Sequence, residues 1–96
     1  MDESISIRFE DNQNRAAAYD GNQEVGCCTY SVDGDVWVLE HTFVDPAYGG
    51  HGLARKLVDC VVRAARDSDV KILPVCSYAA SLFKKDKQYD DVKADV

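Results

Sequence analysis

Ninety-six residues set an expectation of one domain, residues 1–96, with a single modest core. Hydrophobic residues at 46% and charged residues at 29% are ordinary for a soluble globular chain, and no apolar run approaches the roughly 18–20 residues that span a bilayer. The net charge of −6 is uneven, −8 over residues 1–50 and +2 over residues 51–96; this balance speaks against nucleic acid as a partner and suits a molecule with an anionic end and a cationic end, the alternative being acidic residues that only keep the chain soluble.

The opening "MDESISIRFE" is acidic and alternating and does not read as a secretory signal. "SISIRF" (Ser4–Phe9) alternates at period two, as a strand does. "DNQN" reads as a turn, "RAAAYD" (Arg15–Asp20) as a second strand, "GNQ" as another turn and "EVGCCTYSV" (Glu24–Val32) as a third strand. Asp33–Gly34 is a two-residue hairpin signal. It leads into "DVWVLEHTFV" (Asp35–Val44), whose near-continuous apolar run predicts an interior strand covered on both faces.

Beyond Gly50 the period changes. Leu53, Leu57, Val58, Val61, Ala64 and Ala65 fall on one helical face, and "DSD" (Asp67–Asp69) ends the helix. "VKILPV" (Val70–Val75) reads as a buried strand. "SYAASLFKKDKQY" (Ser77–Tyr89) reads as a short helix with a basic tail, and the residues after it as frayed. The expected fold is α/β with a mixed, mostly antiparallel sheet, in the order β-β-β-β-α-β-α. Strand four, helix and strand five make a central βαβ unit with parallel strands.

The four cysteines show no CxxC spacing, which argues against a zinc site, and no metal is expected. Cys27 and Cys28 are neighbours on a strand and point to opposite faces. The set reads as reduced cytoplasmic thiols rather than a disulfide framework.

"DPAYGGHGLARKLV" places Gly49, Gly50 and Gly52 where a helix must begin. Glycine disfavours a helix. Free N–H groups and the helix dipole at a strand-to-helix turn bind anions, and glycines there let a phosphate approach the backbone. Neither a Walker loop nor GxGxxG is present; a turn without a ligand is the alternative.

"VDPAYGGHGLARKLV" resembles the acetyl-CoA-binding motif of the GNAT superfamily of N-acetyltransferases, [Q/R]-x-x-G-x-[G/A], with Gly49, Gly52 and Ala54 at its three defined positions and Gly49 departing from the pattern. With "HT-x-V" (His41–Val44) and "P-x-C-S-[YF]" (Pro74–Tyr78), the chain is similar over Leu39–Asp91 to very short single-domain GNAT proteins. The resemblance implies acetyl-CoA as co-substrate, with Phe43 and Val44 offering strand backbone to the pantetheine arm. It implies a pyrophosphate held at Gly49, Gly50, His51, Gly52, Leu53 and Ala54, with Arg55 and Lys56 beside it. It also implies that strands four and five splay, with the thioester in the gap.

Acetyl transfer to an amine needs a base, charge stabilisation at the thioester oxygen and positioning. His41 is the first candidate for the base. With Asp33–Gly34 as the turn and no bulge, it would sit opposite Gly26, with room beside it. Cys76 lies just past strand five and before a helix, where a thiol is activated; it either takes the acetyl group or lines the pocket during direct transfer. Direct transfer with His41 as base is the first reading, and Glu40, turned to the other face, is a reserve base. Tyr78 and Tyr89 could protonate the leaving thiolate. Lys84, Lys85 and Lys87 could meet coenzyme phosphates or simply be solvated. Trp37, Phe43 and Phe83 read as core, and Cys27, Cys28 and Cys60 as packing residues. The expected function is a cytoplasmic acetyl-CoA-dependent N-acetyltransferase acting on an amine, small or on a peptide, that is cationic. The alternative is a non-catalytic acyl-CoA-binding or regulatory protein.

Overall fold

Alternation through the first half of the chain becomes a meander of strands. A computed structural model describes residues 5–50 and 52–94. Strands β1 (Ile5–Glu10), β2 (Arg15–Asp20), β3 (Gln23–Asp33) and β4 (Val36–Val44) precede helix α1 (Leu53–Ser68), strand β5 (Lys71–Pro74) and helix α2 (Ser77–Lys85). The five strands lie in chain order. The first three pairings are antiparallel, and β4–β5 is parallel, as a βαβ crossover requires.

The apolar stripe of α1 buries Leu53, Leu57, Val58, Val61, Val62 and Ala65 in one cluster with Ala16, Ala18, Cys28, Tyr30, Trp37, Leu39 and Ile72. Asp69 ends the helix in a left-handed conformation, φ 57°, and its N–H donates to the carbonyls of Ala65 and Arg66. Phe9, Tyr30 and Trp37 stack their rings, with Tyr30 and Trp37 4.3 Å apart.

Three expectations change. The hairpin turn is Gly34–Asp35, because Asp33 pairs with Val36. A bulge then inserts Glu40, since Leu39 pairs with Tyr30 and His41 with Thr29. Gly26 accordingly faces Val44 rather than His41. Second, β4 is interior but not covered on both faces. Trp37 and Leu39 are buried toward α1, whereas Glu40, His41 and Phe43 are exposed on a face that no other element among the described residues covers. Phe43 is 57% exposed, so it is not a core residue. Glu40 shares the open face with His41, because it accepts a hydrogen bond from Ser31 of that face at 3.1 Å.

Third, the C-terminal segment is docked. Helix α2 stops at Lys85, where the sequence expectation ran on to Tyr89. The Ile72 N–H donates to the Val92 carbonyl at 2.6 Å and the Ala94 N–H to the Ile72 carbonyl at 2.7 Å, closing the outer edge of β5. Val92 and Ala94 are buried. Three side-chain links hold the segment to α1: the Tyr89 hydroxyl donates to Asp59, and Arg55 and Arg66 pair with Asp86 and Asp91.

Candidate active site

The parallel pairing of β4 with β5 ends at Leu39 and Pro74. The N–H groups of Val75 and Cys76 both turn onto the Leu39 carbonyl, at 3.0 Å each. From Glu40 to Val44, β4 continues with no partner strand on its β5 side among the described residues. The gap between these strand ends is lined by Thr42 and Cys76.

Thr42 lies on the α1 side of β4 because the bulge at Glu40 resets the alternation: Cys28 pairs with Thr42, whereas Thr29 pairs with His41. The Cys76 thiol donates to Thr42 Oγ1 at 3.5 Å, and the Thr42 hydroxyl donates to Cys28 Sγ at 3.5 Å. Cys76 stands at the N-cap of α2, where no amide closes a capping hydrogen bond on its sulfur. Burial pushes the Cys76 thiol pKa up, but the nearby amides of Ala79 and Tyr78 and the Thr42 hydroxyl outweigh it and hold the thiol below its ordinary value. Burial pushes Cys28 the other way, up to about 12. Cys27 and Cys60 are also raised by burial, in line with a packing role. All four thiols are unpaired.

His41 is exposed on the open face, on the side of β4 away from Thr42, and its ring has no hydrogen-bond partner among the described residues. His41 and Cys76 therefore share the end of β4 but not a hydrogen bond. Tyr78 and Val75 are exposed beside Cys76, at 39% and 60%. Tyr89 is buried with its hydroxyl on Asp59, and burial raises its pKa to about 12.

The glycine turn is built to leave N–H groups free. The Asp45 N–H donates to the Val25 carbonyl, and its carboxylate accepts the Ala47 N–H at 2.9 Å. The Tyr48 hydroxyl donates to Asp20 at 2.6 Å. Gly50 and Gly52 take φ of 82° and 74°, which side chains other than Asn and Asp rarely adopt. Gly52 caps α1 without a side chain, and the first turn holds no carboxylate. The N–H groups of Gly50, Gly52, Leu53 and Ala54 find no acceptor among the described residues. A Cβ on Gly50 or Gly52 would meet nothing within 4 Å, so the approach is open. The predicted contact at His51 lies outside the described residues. Arg55 is drawn toward the C-terminal segment by Asp86, at 2.7 Å, while Lys56 is exposed and unpaired among the described residues. Lys84, Lys85 and Lys87 are solvated. Phe43 and Val44 pair with Cys27 and Gly26 of β3 and lie on the stretch of β4 whose β5 side has no partner strand among the described residues.

Sequence reasoning did not single out Thr42. The signal was the adjacent polar pair Glu40–His41 inside an apolar strand, which marks a bulge and moves the inward phase from odd to even positions.

The fold recurs in known proteins. An N-acetyltransferase candidate of GCN5-like type from Staphylococcus aureus, solved in solution, superposes with a TM-score of 0.75 at 30% identity, covering 97% of this chain and 91% of its own. Rv2747 from Mycobacterium tuberculosis, solved in complex with CoA, matches at 28% identity and a TM-score of 0.57, over 65% of this chain and 40% of its own. The ribosomal-protein-S18-alanine N-acetyltransferase from Escherichia coli shares the fold at 17% identity, TM-score 0.65, over 80% of this chain and 53% of its own. No curated protein matches. The sequence pattern of the GCN5-related N-acetyltransferases fits residues 15–92. A pattern that fits from β2 to the docked C-terminal segment, on a sheet parted at β4 and β5 beside an uncapped helix start, makes this chain a member of the GCN5-related N-acetyltransferase family.

Proposed function

We propose that this chain, acting as one domain in the cytoplasm, moves acetyl from acetyl-CoA to a cationic amine by way of Cys76. The free N–H groups of Gly50, Gly52, Leu53 and Ala54 would receive the pyrophosphate, with Lys56 nearby. The β4 backbone around Phe43 and Val44, open on its β5 side, would receive the pantetheine arm. The CoA-bound mycobacterial relative supports this choice of co-substrate.

One observation carries the covalent route over direct transfer: the Cys76 thiol sits where β4 and β5 part, in contact with Thr42 and with its pKa lowered, while His41 is not bonded to it. The Cys76 sulfur anion attacks the acetyl carbonyl carbon, the bond to the CoA sulfur breaks, and CoA leaves as a thiolate. His41 on the open face takes a proton from the arriving ammonium; the neutral nitrogen then attacks the acetyl-cysteine carbonyl carbon, the bond to the Cys76 sulfur breaks, Cys76 leaves as a thiolate and the second proton of the nitrogen goes to solvent. The acidic first half of the chain favours a cationic acceptor.

Intact-protein mass spectrometry after treatment with acetyl-CoA tests the reading. An acetyl adduct on the native chain, absent from Cys76→Ala and discharged by a panel of polyamines and lysine-containing peptides, is the expected result. Product formation by Cys76→Ala at the native rate would mean direct transfer. Tight acetyl-CoA binding with neither adduct nor product would mean a binding protein.

A further inference from the structure

Thr42 is half-buried and touches two thiols at equal distance, 3.5 Å to Cys76 Sγ and 3.5 Å to Cys28 Sγ. A hydroxyl has one proton and two lone pairs, so it can donate to only one of the two sulfurs at a time. With Cys76 protonated, the donors run from Cys76 to Thr42 to Cys28. Once Cys76 loses its proton to solvent, its sulfur can only accept. The Thr42 hydroxyl must then rotate toward it, and its vacated lone pair can be filled by the Cys28 S–H. That reversal requires Cys28 to remain a thiol, and Cys28 is fully buried in the core.

We propose that Thr42 is a positioning residue for Cys76, acting as the rotor of a reversible hydrogen-bond chain that ends on the Cys28 thiol. The proposal deepens the acetyl-cysteine reading and depends on it for its consequence in transfer, but the chain itself is a property of the free protein. Among the side chains around the Cys76 sulfur, the part falls to Thr42, beside the Ala79 and Tyr78 amides that also steady the anion. β3 contributes Cys28, and α2 contributes backbone amides of Tyr78 and Ala79. β4 turns Glu40 and His41 to the opposite face. The charged residues of α1 that meet the chain after α2, Arg55, Asp59 and Arg66, are engaged with Asp86, Tyr89 and Asp91. The low pKa of the Cys76 thiol agrees with a hydroxyl donated to its anion.

The test is the rate of Cys76 carboxamidomethylation by iodoacetamide across pH, read peptide by peptide so that Cys27 and Cys60 do not contribute. Thr42→Val keeps the shape and removes the hydroxyl; Thr42→Ser keeps the hydroxyl. Thr42→Val should move the alkylation midpoint up by roughly one pH unit, the scale of one hydrogen bond to a charged group, and slow the reaction about tenfold below that midpoint. Thr42→Ser should restore the native profile. An unchanged midpoint in Thr42→Val overturns the proposal. So does a Thr42→Ser profile that follows Thr42→Val, because the residue would then only fill space. Alkylation needs no acetyl-CoA. A shifted midpoint in a protein that forms no acetyl adduct would therefore uphold the chain and reject the acetyl-cysteine reading.

Discussion

Gly26 lies against Phe43 so closely that a Cβ on the glycine would stand 2.9 Å from the Phe43 carbonyl oxygen, and 3.2 Å from Leu57 Cδ1 on α1. The glycine lets β3, β4 and α1 meet at one point, just where β4 enters the glycine turn. Gly26→Ala should destabilise the fold by about 1–3 kcal/mol, the usual cost of forcing a methyl into a packed core. Urea unfolding measures it; a midpoint unchanged or raised would mean that the three elements part without cost.

Acetyl-CoA binding should separate from folding at Gly52. Its φ of 74° is tolerated by Asn and poorly by Val. Gly52→Asn should therefore keep the protein folded, while its side chain enters the open space over the N–H groups and weakens acetyl-CoA binding by about tenfold or more, at least one hydrogen bond to a charged group. Gly52→Val should add a folding cost of roughly 1–2 kcal/mol. Calorimetry showing native affinity in Gly52→Asn would move the pyrophosphate elsewhere.

How far the sequence alone could reach is clearest along β4. The run "WVL" declares a strand, and "DG" a hairpin next to it, yet the hairpin turn closes one residue later, on Gly34–Asp35. Periodicity finds strands because burial alternates; it does not locate a bulge, since one extra residue leaves composition untouched while shifting every later side chain to the other face. That is why His41 was expected opposite Gly26 and why Thr42, inward only after the bulge, stayed hidden. The glycine turn was legible because positive φ and an uncapped helix leave few residue choices. The docking of Tyr89–Ala94 was not, because the stretch is short and mostly polar, and its anchoring comes from distant partners: Asp59, Arg66 and the β5 edge.

Acid should loosen that C-terminal segment first. The Arg66 guanidinium bonded to Asp91 holds that carboxyl below the usual range. Gln88 and then Arg55 do the same for Asp86. A carboxylate with a depressed folded pKa contributes stability above its unfolded pKa and loses it as pH falls through the folded one. The contribution is therefore complete at neutral pH and declines below the usual carboxylate range. Both pairs are exposed, so the effect is local rather than global. Amide exchange, corrected for its intrinsic pH dependence, should show protection at Ala94 and Lys93 falling there while the α1 amides around Val61 hold. Equal loss at both sites would mean that these ion pairs do not anchor the segment.

The remaining prediction divides the two chemical steps between two residues. Cys76 and His41 lie on opposite sides of β4, with Thr42 hydrogen-bonded to the thiol and the His41 ring without a hydrogen-bond partner among the described residues. A base on the open face can take a proton from an arriving amine, but it is not in contact with the sulfur. His41→Asn should then leave the rate at which acetyl-CoA loads Cys76 unchanged, measured by rapid quench and intact mass. It should slow discharge of the acetyl-cysteine to an amine by about a hundredfold, the lower end of general-base catalysis. The variant would accumulate acetylated protein in the steady state, where the native chain would not. Raising pH should recover part of the loss for an amine acceptor, because more of the acceptor is then unprotonated without help. If His41→Asn instead slows loading as much as discharge, the imidazole reaches the thiol in the working enzyme, and the separation of roles across β4 is wrong.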